Sequence, residues 1–250
     1  RGYAETRVFV APNAVDQSAI AAAREAWAAP GKLEEFQAAH GLLPSTRPPT
    51  LIFVARLESK RRIDLMLRAM AELSREMPDL RAIIIGQGDQ IQPLTELATQ
   101  LHLSTTSGTA ATNPPGAGTG SARVAFLGPI YDEPSLAPWM LSADLMCFPS
   151  YIGLSLLHAF GYRLPVITSD NPAAHGPEFD ALRDGVNGRV YREGSADDLA
   201  RVLLETLRDR EALRRMAINA HRTATEDFTL GKMVEGFAAA ARFAAGEVKR

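Results

Sequence analysis

Cysteine is almost missing from this chain: Cys147 is the one thiol in 250 residues. An intrachain disulfide is thereby excluded, and a reducing compartment, the cytoplasm, is the expected setting. Long apolar runs are missing too. No stretch approaches the roughly 20 residues of a membrane span, and the opening residues, with Arg1, Glu5 and Arg7, lack a signal-peptide pattern. No integral membrane segment is expected, which leaves peripheral membrane association open. Neither sign of charge dominates, since 27 Lys and Arg stand against 29 Asp and Glu for a net charge of -2. A general attraction to nucleic acid is excluded, so any phosphate binding must come from a local cluster, and a small-molecule partner is expected. The five histidines are scattered, with no His-x-x-x-His pair or tight carboxylate set, so no metal site is expected. A Gly-x-Ser-x-Gly elbow is absent as well, which argues against a Ser-His-Asp hydrolase.

What is present is an alternation of short β-branched runs with amphipathic stretches, the signature of a parallel sheet with crossover helices. Hydrophobic residues make up 46% of the chain and charged ones 22%, so a packed core is expected. Thr50 to Ala55 follows the breaker Pro48-Pro49 and precedes Ile63, Leu67, Met70 and Leu73 at helical spacing. Arg81 to Ile85 precedes Ile91, Leu94, Leu97 and Leu101. Arg123 to Leu127, Leu145 to Phe148, Pro165 to Thr168 and Gly188 to Tyr191 complete six predicted strands. Helices are expected around Leu136 to Leu141, from about Leu154, and over Ala196 to Leu207. Two further helical pieces, between Leu213 and Ala244, break near Asp227-Phe228-Thr229. Residues 104–121 are rich in Ser, Thr, Gly and Pro and carry too little apolar surface to order themselves, so a flexible insertion is expected there. The predicted organisation is a hinge or first-strand segment at 1–16, a doubly wound, Rossmann-like α/β domain at 17–235 with helices on both faces, and a helical tail at 236–250.

In such sheets ligands sit outside the carboxyl ends of the strands. The first predicted strand ends in Arg56-Leu57-Glu58-Ser59-Lys60-Arg61-Arg62, whose cations precede a helix. That cluster is either a solvated turn or a grip for a diphosphate, which arginine binds with a planar fork. Gly86-Gln87-Gly88 and Gly128 follow the next two strands, where they make tight turns or let backbone approach a ligand. Pro149-Ser150-Tyr151-Ile152-Gly153-Leu154-Ser155 runs from the fourth strand into an apolar helix, a layout that exposes N–H groups to an anion. His158, one turn inside, is either a hydrogen-bonded core histidine or a ligand contact. His175, in Asp170 to Glu178, lies in a loop, where binding residues concentrate.

Taken in order, these segments resemble the C-terminal half of the GT-B glycosyltransferases, in the large retaining family of bacterial mannosyltransferases and sucrose synthases. Val8 to Asp16 is similar to that family's hinge phrase, Val54-Ala55-Arg56-Leu57 to its Gly-Arg-Leu phrase, and Arg61 falls where the family has a lysine. The series continues through Ile84 to Gly88, Val124 to Gly128, Ala143-Asp144, Phe148-Pro149-Ser150 and Leu164 to Ile167. The resemblance implies a donor-binding domain for a nucleoside-diphosphate sugar, UDP- or GDP-linked, without a further cofactor, whose partner is an acceptor-binding half earlier in the same enzyme. By the same resemblance Arg56 and Arg61 would stabilise the leaving diphosphate. Lys60, Gly86, Gly128, Ser150, Gly153, Leu154, Ser155 and His158 would hold the donor, and His175 would meet its sugar. The family's two glutamates, spaced by seven residues, are replaced by Ser150 and His158. The first of the pair meets the transferred sugar and the second the ribose hydroxyls, so the hydrogen bonding here is altered. Alternative readings are a sugar-nucleotide epimerase of the same architecture and a non-catalytic nucleotide-binding scaffold.

Overall fold

The computed structural model describes residues 8–42, 48–107 and 123–246. Among them, seven strands form one sheet: β1 (Thr50–Val54), β2 (Arg81–Ile85), β3 (Thr105–Ser107), β4 (Val124–Phe126), β5 (Leu145–Cys147), β6 (Val166–Ser169) and β7 (Gly188–Tyr191). Every pair is parallel and the order is β3-β4-β2-β1-β5-β6-β7. Six of the seven coincide with the apolar runs read from sequence. The seventh, β3, corrects the expected boundary of the insertion, because Thr105–Ser107 pairs in register with Val124–Phe126. Thr-Thr-Ser has no apolar pattern to read; an edge strand can rest on its ladder alone. Residues 108–121 of the predicted insertion lie outside the described residues.

Helices α1 (Gln17–Ala26) and α2 (Lys32–Ala39) precede the sheet, and the described part of the hinge segment, residues 8–16, contains no strand. Then come α3 (Ile63–Glu72), α4 (Ile91–Gln100), α5 (Glu133–Ser142), α6 (Ser155–Gly161), α7 (Ala196–Arg208), α8 (Arg210–Arg222) and α9 (Leu230–Ala244). The starts of α1, α5, α7 and α9 are capped by Asp16, Asp132, Ser195 and Thr229, each accepting from a first-turn N–H. The predicted boundary at residue 235 falls inside α9, which runs through it unbroken.

Handedness distributes the helices. From β1 the chain moves outward through β2 to β3 at the edge, steps back to β4, and then crosses the sheet to β5 on the other side of β1, so right-handed crossovers put α3 and α5 on opposite faces. The packing agrees: α3 contacts α4 and α7, while α1 contacts α5 and α6. Both faces are covered, which is why β1, β2, β5 and β6 are buried along nearly their whole length. Cys147 is part of that core, fully buried on β5, and burial pushes its thiol pKa well above the ordinary range. The direction of winding reverses between β1 and β5, so their carboxyl ends open onto the crevice where doubly wound sheets bind ligands. Just below it, Phe53 and Phe148 stack at 4.7 Å.

One buried bond steadies that crevice from the side: the Tyr191 hydroxyl on β7 donates to the Pro149 carbonyl at 2.9 Å. Tyr191→Phe leaves the carbonyl buried without its partner and is expected to cost about 1–3 kcal/mol. Urea unfolding of the two proteins measures this, and equal midpoints would contradict it.

Candidate nucleotide-binding site

The exits of β1 and β2 are laced together beyond the strands proper. Ala55 N–H donates to the Ile85 carbonyl at 3.1 Å, and Leu57 N–H to the Gln87 carbonyl at 2.9 Å. This close approach explains the Gly86-Gln87-Gly88 phrase. A Cβ at Gly86, whose φ is +149°, would stand 1.9 Å from the Ala55 carbonyl oxygen, and one at Gly88 would stand 2.2 Å from that of Leu57. No side chain fits at either position. Gly128 turns the chain in a left-handed conformation (φ +69°) and its carbonyl accepts from Gly86 N–H at 2.9 Å. These turns leave a cavity of about 420 Å³ lined by Arg56, Gly86, Gln87, Pro129, Ile130 and Tyr131, together with the last residues of β1 and β2. Gln87 Nε2 donates to the Tyr131 hydroxyl at 2.8 Å across one side of it. Gly86 therefore lines the cavity, whereas Gly128 shapes the turn that delivers Pro129 to Tyr131.

Beside the cavity, the β1 exit meets the β5 exit. A short 3-10 turn, Ser59–Arg61, carries Arg61 across to the segment after β5, where its Nη1 donates to the Tyr151 carbonyl. The guanidinium lies 5.3 Å from the Phe148 ring centre and 5.4 Å from that of Tyr151, so a cation is stacked on aromatic faces. Burial lowers the Arg61 pKa, opposed by Glu58, yet a guanidinium remains protonated at neutral pH. Its Nε is buried without an acceptor. Lys60 Nζ stands over the Tyr151 ring at 4.5 Å and pairs with Glu58 at 3.1 Å. Arg56 is 80% exposed, with only a loose 3.8 Å contact to Glu58. Lys60 and Arg61 thus lie against Tyr151, while Arg56 lines the neighbouring cavity.

The turn they face is built from Ser150, which is buried, Tyr151, held at φ +61°, and Gly153. No side chain caps α6, whose N-cap is Leu154, so the N–H groups at its start lack a side-chain acceptor. His175 holds this turn from behind. Its Nδ1 accepts from Ile152 N–H at 3.2 Å, which fixes the proton on Nε2, and Nε2 donates to the Ser169 carbonyl at 3.0 Å. With both ring nitrogens used, His175 supplies the shape of the turn rather than the sugar contact expected from sequence. Burial lowers its pKa, opposed by the bond to Ser169.

Two acidic residues that sequence reading missed stand here as well. Glu178 is buried and accepts from Asn13 Nδ2 at 2.7 Å, tying the hinge segment to the loop behind Gly153. Gly176 lets it in, since a Cβ there would lie 2.5 Å from Glu178 Oε2. Glu133, the first residue of α5, takes His158 Nε2 at 2.9 Å and the Tyr162 hydroxyl at 2.5 Å on Oε1. His158 is hydrogen-bonded, as the core reading expected, and its partner is a carboxylate. The Asp132 cap could have signalled that Glu133 opens a helix, but not that α6 would meet it. Among the described residues, no three His, Cys, Asp or Glu converge as metal ligands would.

Comparison with known proteins identifies the family and the fold. The family profile described as "Glycosyl transferases group 1" matches residues 48–209. A D-inositol 3-phosphate glycosyltransferase of Nocardia farcinica is 33% identical over 201 residues, covering 76% of this chain and 39% of that protein. The chain thus spans about two fifths of the length of that curated relative. Among solved structures, Anabaena HepE in complex with UDP-glucose superposes with a TM-score of 0.65 at 20% identity, over 87% of this chain and 53% of the other. The C-terminal domain of a glycosyl transferase group 1 family protein from Francisella tularensis gives 0.60 at 18% identity, over 91% and 100%.

The His175 arrangement has a pH consequence. Its folded pKa lies below the unfolded value of about 6.5, so unfolding takes up a proton between the two, and stability rises with pH across that window. Urea unfolding at about pH 7.5 and about pH 5.5 is expected to show lower stability at the acid value, with a smaller loss in His175→Asn. Identical pH dependence in the two proteins would contradict the buried neutral imidazole.

Proposed function

The chain belongs to the glycosyl transferases group 1 family, and on that premise we propose that it is the donor-binding half of an enzyme that transfers a sugar from a nucleoside-diphosphate sugar to an acceptor with retention of configuration. The observation that carries this reading is the packing of Lys60 and Arg61 on the turn around Tyr151, beside a cavity that Arg56 lines at the switch point of the sheet. The base enters the cavity between Gly86 and Tyr131. The diphosphate lies against the cations and the start of α6.

As the bond to the sugar breaks, negative charge gathers on the departing diphosphate. Arg61 is already aligned and partly desolvated, so it stabilises that charge with little reorganisation, and exposed Arg56 swings onto the same group. Stacking on Phe148 and Tyr151 fixes the guanidinium plane, which is the orientation part of the effect. Because fixed cations neutralise the leaving group, the reaction runs without a bridging metal. That HepE was solved with UDP-glucose supports a uridine donor as the first to try.

The acceptor half lies elsewhere in the protein, as the two-fifths coverage of the Nocardia relative supports. A surface suited to it is present: α9 has no buried residue, and Val234 and Phe237 are 60% and 63% exposed. Val8, Phe9 and Val10 of the hinge line a shallow groove with Lys232, Glu235, Gly236 and Ala239 of α9.

Calorimetric titration with UDP and GDP tests the reading. Arg61→Ala is expected to weaken binding by about 1.5–3 kcal/mol, the worth of a charge-assisted contact. Arg56→Ala, which removes no folded contact of consequence, is expected to weaken it in the same direction. Unchanged affinity in both variants would overturn the diphosphate assignment. In the protein with its acceptor half, turnover is expected to persist in excess chelator; its abolition, restored by added divalent metal, would rule out the metal-free mechanism.

A further inference from the structure

We propose that Glu133, held in place by His158 and Tyr162, reads the ribose hydroxyls of the bound nucleotide. This rests on the cleft being a nucleoside-diphosphate site, and it assigns a residue to the part of the ligand that lies between base and phosphates. Tyr131 lines the base cavity, and Glu133 follows two positions later at the start of α5. His158 lies on α6, one turn beyond Ser155 and the segment that Arg61 grips. The Glu133 to His158 hydrogen bond of 2.9 Å therefore spans from the cavity wall to the phosphate turn. In a nucleoside diphosphate, the sugar occupies that same interval.

The chemistry of the pair suits a diol. The Glu133 carboxylate takes the Tyr162 hydroxyl at 2.5 Å and His158 Nε2 at 2.9 Å on Oε1, with Oε2 at 3.2 Å from the same nitrogen. A carboxylate has about four lone-pair sites, so acceptor capacity remains. Its side chain is 24% exposed and that of His158 21%, so both are still open to a ligand. His158 Nε2 is spent on the carboxylate, and its Nδ1 has no partner among the described residues. What the carboxylate offers outward is spare acceptor lone pairs, which match vicinal O–H donors and repel a phosphate.

The supports keep the carboxylate ionised and still. Burial pushes the Glu133 pKa up, but the bonds from His158 and Tyr162 outweigh it and hold the group below its ordinary value. Tyr162 is buried and its pKa is pushed above the ordinary range, chiefly by burial and then by Glu133, so it remains a donor. Position 158 itself carries no carboxylate; the negative charge enters from the neighbouring helix, with His158 as the positioning residue.

The test is the affinity ratio between UDP and its 2′,3′-dideoxy analogue, with the GDP pair run alongside, measured by calorimetry on the full chain. The unaltered protein is expected to prefer the ribonucleotide roughly tenfold or more, as one charge-assisted hydrogen bond allows. In Glu133→Ala the ratio is expected to fall close to one. Glu133→Gln, which preserves shape and packing, is expected to lower the ratio in the same direction. Adding His158→Glu to Glu133→Ala returns a carboxylate to the site and is expected to restore the preference. A ratio near one in the unaltered protein, or a full preference kept in both Glu133 variants, overturns the assignment while leaving the nucleotide site intact. Failure of the unaltered protein to bind either diphosphate overturns the nucleotide reading, and this assignment with it.

Discussion

The contact on which the site depends is the hydrogen bond from Arg61 to the Tyr151 carbonyl. It joins the exits of β1 and β5, the two strands between which the sheet reverses its winding. Open doubly wound sheets leave a crevice at such a reversal, but a crevice by itself selects nothing. Arg61 gives it a sign and an orientation. The 3-10 turn before α3 brings the guanidinium over, Phe148 and Tyr151 supply faces to lie against, and the carbonyl fixes its roll. In the proposed reading the diphosphate lies against the start of α6 as well, where no side chain caps the helix.

Much of the architecture was legible because it follows from apolar patterning. Buried parallel strands must be apolar on both faces, so Leu51-Ile52-Phe53 and Ile83-Ile84-Ile85 announce themselves. β3 has no such need at the sheet edge, and its Thr-Thr-Ser reads as loop. The opening helices α1 and α2 escaped notice for a related reason: few of their residues are buried, and α2 has only Gln37 fully inside. Among site residues, the cations after β1 were visible because charge clusters stand out against an apolar run. The Gly-x-Gly phrase was visible but ambiguous, and only the 1.9 Å and 2.2 Å clashes show that backbone crowding by β1 demands it.

Partnerships between distant residues were not legible at all. Nothing local in Asp132-Glu133-Pro134 reveals that α6 will present His158 and Tyr162 to that carboxylate, 25 and 29 positions away. Asn13 and Glu178 are separated by 165 positions and meet only because the hinge segment folds back over the loop after β6. His175 looked like a loop ligand; tertiary structure turned it into the brace of a backbone turn, with Ile152 and Ser169 as the fixed points. These cases share a cause. Pattern reports which face of an element is buried, while the identity of a polar partner is set by the packing of elements remote in sequence.

The claim on which everything else rests is that the site grips phosphates, and a series differing only in phosphate number tests it most directly. Uridine, uridine monophosphate and uridine diphosphate share a base and a sugar, so cavity contacts cancel between them. Calorimetry at one fixed ionic strength is predicted to show affinity rising with each phosphate, with the steps shrinking as salt is added, because exposed Arg56 and Lys60 supply a screened share of the attraction. Equal affinity for the nucleoside and its diphosphate would contradict the assignment of Arg56, Lys60 and Arg61 to the diphosphate.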